Sequence, residues 1–368
     1  MPGELPNGAP ARVLHIREPA AGLDAVIVVD HTLFPLSAGG TRMAPDVSDE
    51  EVARLARAMT WKFAVYRLPL AGAKAGIRWN GTGDRSGVLD AYFKAIEPWR
   101  DRFLTGPDLG TLPEDFLDAD ARTAAEPPLW AQTFEGADMD GLATGHGVRV
   151  AAEVAMATLG RSLEGAAVAI EGFGKVGAGA ARSFARAGAR IVAVSTVAGT
   201  LADPAGLDVD ELLRLRERHG DELVAHGPVP PLPREALLTS PCDVLVPGAR
   251  PDSVTPELVP SFRCDVVAPA ANIPYAASAC AALHERGILA LPDFVANAGG
   301  VFLYESADRG EDPATCLASV EEVIGAATRR VLDAARTRGL TPMAAALELA
   351  RGFLAESLEG RGEPRPSP

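Results

Sequence analysis

The segment that most narrows what this chain can fold into is Gly172-Phe-Gly174-Lys175-Val176-Gly177, set between an apolar run, Ala166 to Glu171, and a helical pattern from about Val176 to Ala187. Glycines at this spacing permit a tight turn, approach of backbone to a pyrophosphate, and close packing of helix on strand. Alone the hexapeptide means little; its strand and helix give it weight. Further strands are expected at Arg190 to Ser195, Asp243 to Val246, Asp265 to Val267 and Ile288 to Leu291, alternating with helices. That alternation predicts a Rossmann-like, doubly wound parallel sheet that binds a dinucleotide. At the end of the next strand, Ser195-Thr196 stand where a carboxylate usually meets the ribose. Without it a 2′-phosphate is less strongly rejected, so both NAD and NADP stay open as cofactors.

A chain of 368 residues exceeds what one core usually holds, so two domains are expected: 1–143, joined by C-terminal helices at about 341–368, and 144–340. In the first, Asp24 to Asp30 reads as a strand and Ser48-Asp-Glu-Glu51 as a capping box. The helix it opens places Val52, Leu55, Ala56, Met59 and Phe63 on one side, with Lys62 near its end. Leu68 to Trp79 reads as extended, Ser86 to Ile96 as a helix, and Arg102 to Thr105 leads into the loop at Asp108. A helix from about Gly145 to Leu159, closed by Gly160, is expected to link the domains. Beyond Asn297-Ala-Gly-Gly300, helices at about Pro313 to Arg338 and Met343 to Leu358 are expected to return to the first domain, and Gly360 to Pro368 to be disordered.

Two lysines and an aspartate suggest chemistry. Lys74 lies in Leu68-Pro-Leu-Ala-Gly-Ala-Lys74-Ala-Gly-Ile77, among small apolar residues, with Lys62 upstream and Gly106-Pro-Asp108-Leu-Gly110 downstream. An amine among such residues loses hydration, which lowers its pKa toward neutrality and suits it to act as a base. The plainer reading is a lysine snorkelling from a sheet edge. His146 reads as a capping or packing residue, and Trp61, Trp79, Trp99 and Trp130 as core or interface.

The net charge of −14 argues against nucleic acid as a partner. Cys242, Cys264, Cys280 and Cys316 lie far apart with no C-x-x-C pair, which suggests neither a zinc site nor a disulfide framework; buried free thiols and no metal are expected. The uncharged run Val266 to Leu283 is broken by Pro269 and Pro274, so it reads as strand, loop and helix and not as a membrane span. The N-terminus lacks a signal-peptide pattern, and a cytoplasmic protein is expected.

Six segments in order, Gly39-Gly40-Thr41-Arg42-Met43, Met59-Thr60-Trp61-Lys62, the Lys74 and Asp108 segments, the glycine turn, and Pro292-Asp-Phe-Val-Ala-Asn297-Ala-Gly-Gly300, resemble the glutamate/leucine/phenylalanine/valine dehydrogenases. The resemblance runs from about residue 25 to residue 305. It implies NAD(P)-dependent oxidative deamination of an L-amino acid to its 2-oxo acid and ammonia, and the reverse, by a homo-oligomer. It also implies that Lys62 holds the substrate carboxylate, Lys74 activates water and Asp108 shuttles protons. Gly39 and Gly40 would line the substrate pocket, Thr144 and Asn272 approach the nicotinamide, and Asn297 contact substrate or ribose.

Departures from the family pattern bear on the substrate. Glutamate dehydrogenases usually have a lysine just before the Gly-Gly pair, and this chain has Ala38. Burying a second carboxylate without that cation is costly, which favours an apolar or non-standard side chain. Tyr304, where relatives often carry smaller residues, is expected to face the pocket. Lys175 replaces a frequent asparagine. Against this, Gly199 to Asp208 resembles the glutamate branch, so glutamate stays open. A catalytically silent nucleotide-binding regulator is the alternative from another class; intact Lys62, Lys74 and Asp108 argue against it.

Overall fold

The computed structural model describes residues 8–117 and 127–359. It divides into two compact units, one running up to 125 and resuming at 347, the other spanning 126–346. The first boundary therefore precedes the expected 143/144, and the expected disordered tail lies outside the described residues.

The first unit is built on a six-stranded mixed sheet. β1 (Arg12–Glu18) and β2 (Leu23–Val29) form an antiparallel hairpin; β3 (Ser37–Ala38) and β4 (Thr41–Ala44) follow. Helix α1 (Asp49–Val65) precedes β5 (Ala71–Arg78), then come α2 (Arg85–Ile96) and β6 (Phe103–Leu104). The order is β1-β2-β5-β3-β6, with β4 also pairing with β5. β5 is antiparallel to β2 and parallel to both β3 and β4, so it lies inside the sheet. α1 begins where its sequence signals it, with Ser48 Oγ accepting from Glu51 N at 3.1 Å and three acidic residues in the first turn.

Strand alternation explains the small residues of β5. Ala73, Ala75 and Ile77 point into a core with Leu23, Ala25 and Ile27 of β2 and Leu89, Tyr92 and Ile96 of α2. Residues 72, 74 and 76 point the other way, against α1. A Cβ on Gly72 would lie 2.2 Å from the Ala56 carbonyl oxygen, and one on Gly76 would lie 2.4 Å from Val47. Only glycines let α1 settle this closely.

The second unit opens with a small ribbon, β7 (Thr133–Phe134) and β8 (Ala137–Asp138), and helix α3 (Met139–Thr158). A doubly wound sheet follows: β9 (Ala167–Glu171), α4 (Lys175–Arg186), β10 (Arg190–Thr196), β11 (Gly199–Ala202), α5 (Val209–His219), β12 (Val244–Pro247), β13 (Val266–Val267), α6 (Ala279–Glu285) and β14 (Leu289–Ala290). Its order is β11-β10-β9-β12-β13-β14, parallel except for β11, a hairpin partner of β10 that period counting did not reveal. α7 (Asp293–Ala296), α8 (Gly299–Asp308), α9 (Pro313–Arg338) and α10 (Pro342–Glu359) complete the chain. The later part of α10 belongs to the first unit, as expected: Phe353 stacks on Phe34 and Arg351 covers the Trp61 ring.

α3 corrects an expectation. It starts at Met139, not near Gly145, and lies wholly in the second unit instead of linking two domains. Gly141 and Gly145 lie inside the helix as contact points. A Cβ on Gly141 would lie 2.4 Å from the Lys175 carbonyl oxygen, and one on Gly145 would lie 2.2 Å from Ala180 N. His146 is likewise no cap. It sits inside α3, with Nδ1 3.0 Å from Ser183 Oγ, and burial followed by the Arg149 charge lowers its pKa to about 4.

Replacing Ser48 by Ala should lower stability by about 1 kcal/mol in denaturant unfolding, and by Gly only a few tenths. Equal losses for the two variants would show that the cap contributes little.

Candidate active site

Lys74 is on an interior strand beneath a helix, so the snorkelling alternative does not hold: the residue is 3% exposed. Its Nζ lies 3.0 Å from Asp108 Oδ2, and Asp108 retains 17% exposure of its side chain. Gly40 abuts both groups. A Cβ there would lie 3.0 Å from Asp108 Cβ and 3.3 Å from Lys74 Nζ.

The Asp108 loop is fixed to β4 through its backbone. Asp108 N donates to Thr111 Oγ1 at 2.8 Å, and that hydroxyl donates to the Thr41 carbonyl at 2.9 Å. Gly110 takes φ +79°, and a Cβ on it would lie 1.8 Å from the Met43 carbonyl oxygen. Gly39 is held as tightly, its Cβ position 1.7 Å from the Ala73 carbonyl oxygen, while Ala38 sits on β3 between β5 and β6. Lys62, on the last turn of α1, is buried at 6% exposure.

Reading residue types one at a time missed Arg42. Its Nε donates to Asp108 Oδ2 at 3.0 Å while its guanidinium also pairs with Glu51, giving a chain of alternating charge, Glu51, Arg42, Asp108, Lys74. Burial lowers the Lys74 pKa and the Arg42 charge adds to this; Asp108 opposes it without reversing the direction. For Asp108, burial acts upward, but Lys74 and Arg42 outweigh it and hold the carboxyl at about 2. A charged residue two places after Gly40 on a buried strand is the signal that could have found Arg42.

In the second unit the glycine turn has the form its sequence implies. Gly172 has φ +84°, and Gly177 packs so closely that a Cβ would lie 1.8 Å from the Gly172 carbonyl oxygen. Over Gly174 nothing lies within 4 Å of a Cβ position, so the turn is open where α4 begins with Lys175 and Val176. This cradle fits a pyrophosphate on a helix N-terminus. Ser195 and Thr196 use their hydroxyls internally: Ser195 Oγ accepts from Gly172 N at 3.3 Å, and Thr196 Oγ1 donates to the Asp221 carbonyl at 2.7 Å. Just past β10, Val197 is 72% exposed.

A third group converges around the start of α8. Asn297 Nδ2 donates to Asn272 Oδ1 and to the Ala271 carbonyl, both at 3.1 Å, and a Cβ on Gly300 would lie 3.2 Å from Thr144 Oγ1. One turn on, the Tyr304 ring lies 6.1 Å from that of Trp130. Its hydroxyl is buried without a hydrogen-bond partner among the described residues, and burial, with the Asp140 charge second, raises its pKa well above the usual value. Trp130 and Asp140 were not legible as site neighbours, because only the fold brings them to Tyr304.

A mixed-sheet unit carrying a buried amine and carboxylate, followed by a doubly wound unit with a glycine turn, defines a two-domain α/β dehydrogenase. The family model for the Glu/Leu/Phe/Val dehydrogenase dimerisation domain matches residues 10–116, and that for Glutamate/Leucine/Phenylalanine/Valine dehydrogenase matches 136–362. The chain belongs to this family of amino-acid dehydrogenases.

Glutamate dehydrogenase A2 of Halobacterium salinarum is 34% identical over 285 residues, covering 72% of this chain and 67% of that one. NAD-specific glutamate dehydrogenase A of the same organism is 31% identical over 352 residues, covering 88% and 79%. Among solved structures, the hetero-hexameric glutamate dehydrogenase from Thermus thermophilus in its Leu bound form has a TM-score of 0.84 at 27% identity, covering 97% and 91%.

Replacing Asp108 by Asn should destabilise the protein by about 3 kcal/mol at neutral pH, since Arg42 and Lys74 would lose a buried partner. The deficit should shrink as pH rises toward the ordinary lysine range, because Lys74 can then shed its proton. Denaturant unfolding at several pH values tests both; a deficit independent of pH would contradict the coupling.

Proposed function

We propose that the chain catalyses NAD- or NADP-dependent oxidative deamination of an L-amino acid to the 2-oxo acid and ammonia, and the reverse, preferring an apolar or non-standard side chain. The observation that carries this reading is the buried Lys74 amine 3.0 Å from Asp108. Gly172, Gly174, Lys175, Val176 and Gly177 would hold the pyrophosphate, with Thr144, Asn272 and Asn297 toward the nicotinamide. When bound, the nicotinamide supplies the hydride acceptor.

The chain's own residues do the rest. Lys62 pairs as a point charge with the substrate α-carboxylate. Lys74, with its pKa lowered, takes a proton from the water that adds to the imine carbon. Asp108, ionised and partly accessible, exchanges a proton with the amine nitrogen as ammonia departs. Arg42 positions Asp108 and keeps it anionic.

Ala38 offers no cation to a side-chain carboxylate. Tyr304 beside Trp130 supplies aromatic surface with one polar handle, and the Asp140 charge near Tyr304 opposes a second carboxylate. Glutamate as substrate is the second reading, favoured by the names of the relatives. The match to a dimerisation domain supports assembly from copies of this chain.

A panel of the twenty L-amino acids, read by nicotinamide absorbance with each cofactor, should give an apolar or non-standard preference; glutamate as best substrate would refute it. Lys74→Ala should lower turnover about a thousandfold with the fold intact. Because deamination needs neutral Lys74, activity should climb with pH through the lowered lysine pKa. Arg42→Gln removes a cation and should move that limb to higher pH, whereas Glu51→Gln should move it lower. Limbs that stay in place in both variants would remove Lys74 from the role of base.

A further inference from the structure

The four cysteines are dispersed in the sequence, yet the fold brings two of them together. Cys242 stands just before β12 and Cys264 just before β13. The parallel register pairs Val244 with Val266 and Leu245 with Val267, and the same register carried two residues back sets Cys242 opposite Cys264. Two backbone bonds extend the pairing over that stretch: Cys242 N donates to the Arg263 carbonyl at 3.0 Å, and Asp265 N to the Asp243 carbonyl at 3.1 Å.

Arg161 fixes the alignment from a third direction, pairing with both Asp243 and Asp265, the residues that follow the two cysteines. Both side chains are partly buried against one apolar cluster with Leu245, Val267 and Leu283. Directly opposed residues on neighbouring strands have Cα atoms about 4.8 Å apart. Disulfides span roughly 4.4–6.8 Å between Cα atoms.

We propose that Cys242 and Cys264 are a redox-sensitive pair that closes to a reversible disulfide across β12 and β13, with a hydroperoxide or a small-molecule disulfide as oxidant. In the reduced protein the Cys242 thiol is hydrogen-bonded with Cys264, and this contact, with burial second, raises its pKa above the ordinary thiol range. Either sulfur can make the first attack, and the balance is the same for both. With hydrogen peroxide, the Cys264 sulfur attacks one oxygen and the O–O bond breaks; the released hydroxide takes the thiol proton to give water, leaving a sulfenic acid. Cys242 sulfur then attacks that sulfur, the S–S bond forms, and hydroxide leaves with the Cys242 proton as a second water. Two thiols lose two electrons and two protons, and the peroxide is reduced to two waters.

The position of the bond gives it reach into the nucleotide-binding unit. β12 continues into Gly248, whose carbonyl oxygen lies 3.0 Å from the Cβ position of Gly172 in the glycine turn. β13 continues into Ala270 and Ala271, whose carbonyls accept from Asn297. The remaining thiols are poorer partners. Burial pushes Cys280 up to about 12, and Cys316 is fully buried in α9.

The test uses the full-length protein, reduced, desalted and treated with hydrogen peroxide or oxidised glutathione, followed by alkylation, thiol counting and peptide mass mapping. Titratable thiols should fall from four to two, with one linked peptide joining Cys242 to Cys264, and dithiothreitol should restore all four. Cys264→Ser should form no intramolecular link under the same treatment. Four thiols surviving in the wild-type protein, or a link through Cys280 or Cys316, would overturn the pairing. The wild-type map stands whether or not the variant folds, and neither readout depends on enzymatic turnover.

Discussion

An ammonium group held away from water must be solvated by something else or give up its proton, and Lys74 is placed so that both pressures act on it. It points from an interior strand into the layer beneath α1, where Gly72 and Gly76 leave no side chain on either side of it along that face. Asp108 answers its charge, and Arg42 in turn answers Asp108 while drawing the lysine's proton affinity down. Each member of this chain is supported by the next. Loss of one charge changes the protonation balance of the others.

Close backbone approach recurs wherever the structure builds a candidate site. Gly39 and Gly40 bring the β3–β4 turn against β5 and against the amine; Gly110 brings the Asp108 loop against β4. Gly172 and Gly177 close the turn over which α4 begins, and Gly141, Gly145 and Gly179 let α3 and α4 touch backbone to backbone. Gly299 meets the Ala143 carbonyl in the same way, bringing the residues after Asn297 beside Thr144. A methyl group at most of these positions would overlap a carbonyl or amide, which has no rotamer by which to yield. Rigid placement of chemistry here depends on missing side chains as much as on present ones.

The second unit also brings distant groups together. Trp130, Asp140 and Tyr304 come from three separate stretches of chain and meet one helical turn beyond Gly300. Together they combine aromatic surface, a buried hydroxyl and a carboxylate. Their proximity is a property of the fold and not of the local sequence.

What the amino-acid order determined unaided was whatever depends on neighbours a few residues apart. The glycine turn between strand and helix, the Ser48 cap, the apolar side of α1 and the bounds of α9 all follow from local chemistry, as does the grouping of lysine and aspartate among small residues. The tertiary structure alone decided which distant groups meet: Arg42 with Asp108 and Glu51, Tyr304 with Trp130, Cys242 with Cys264. It also decided that the helix expected from Gly145 begins at Met139, with Gly141 and Gly145 letting another helix touch it. The physical reason is range. Capping, turns and periodicity are interactions along the chain, whereas proton affinity and side-chain recognition come from burial and charge supplied across it.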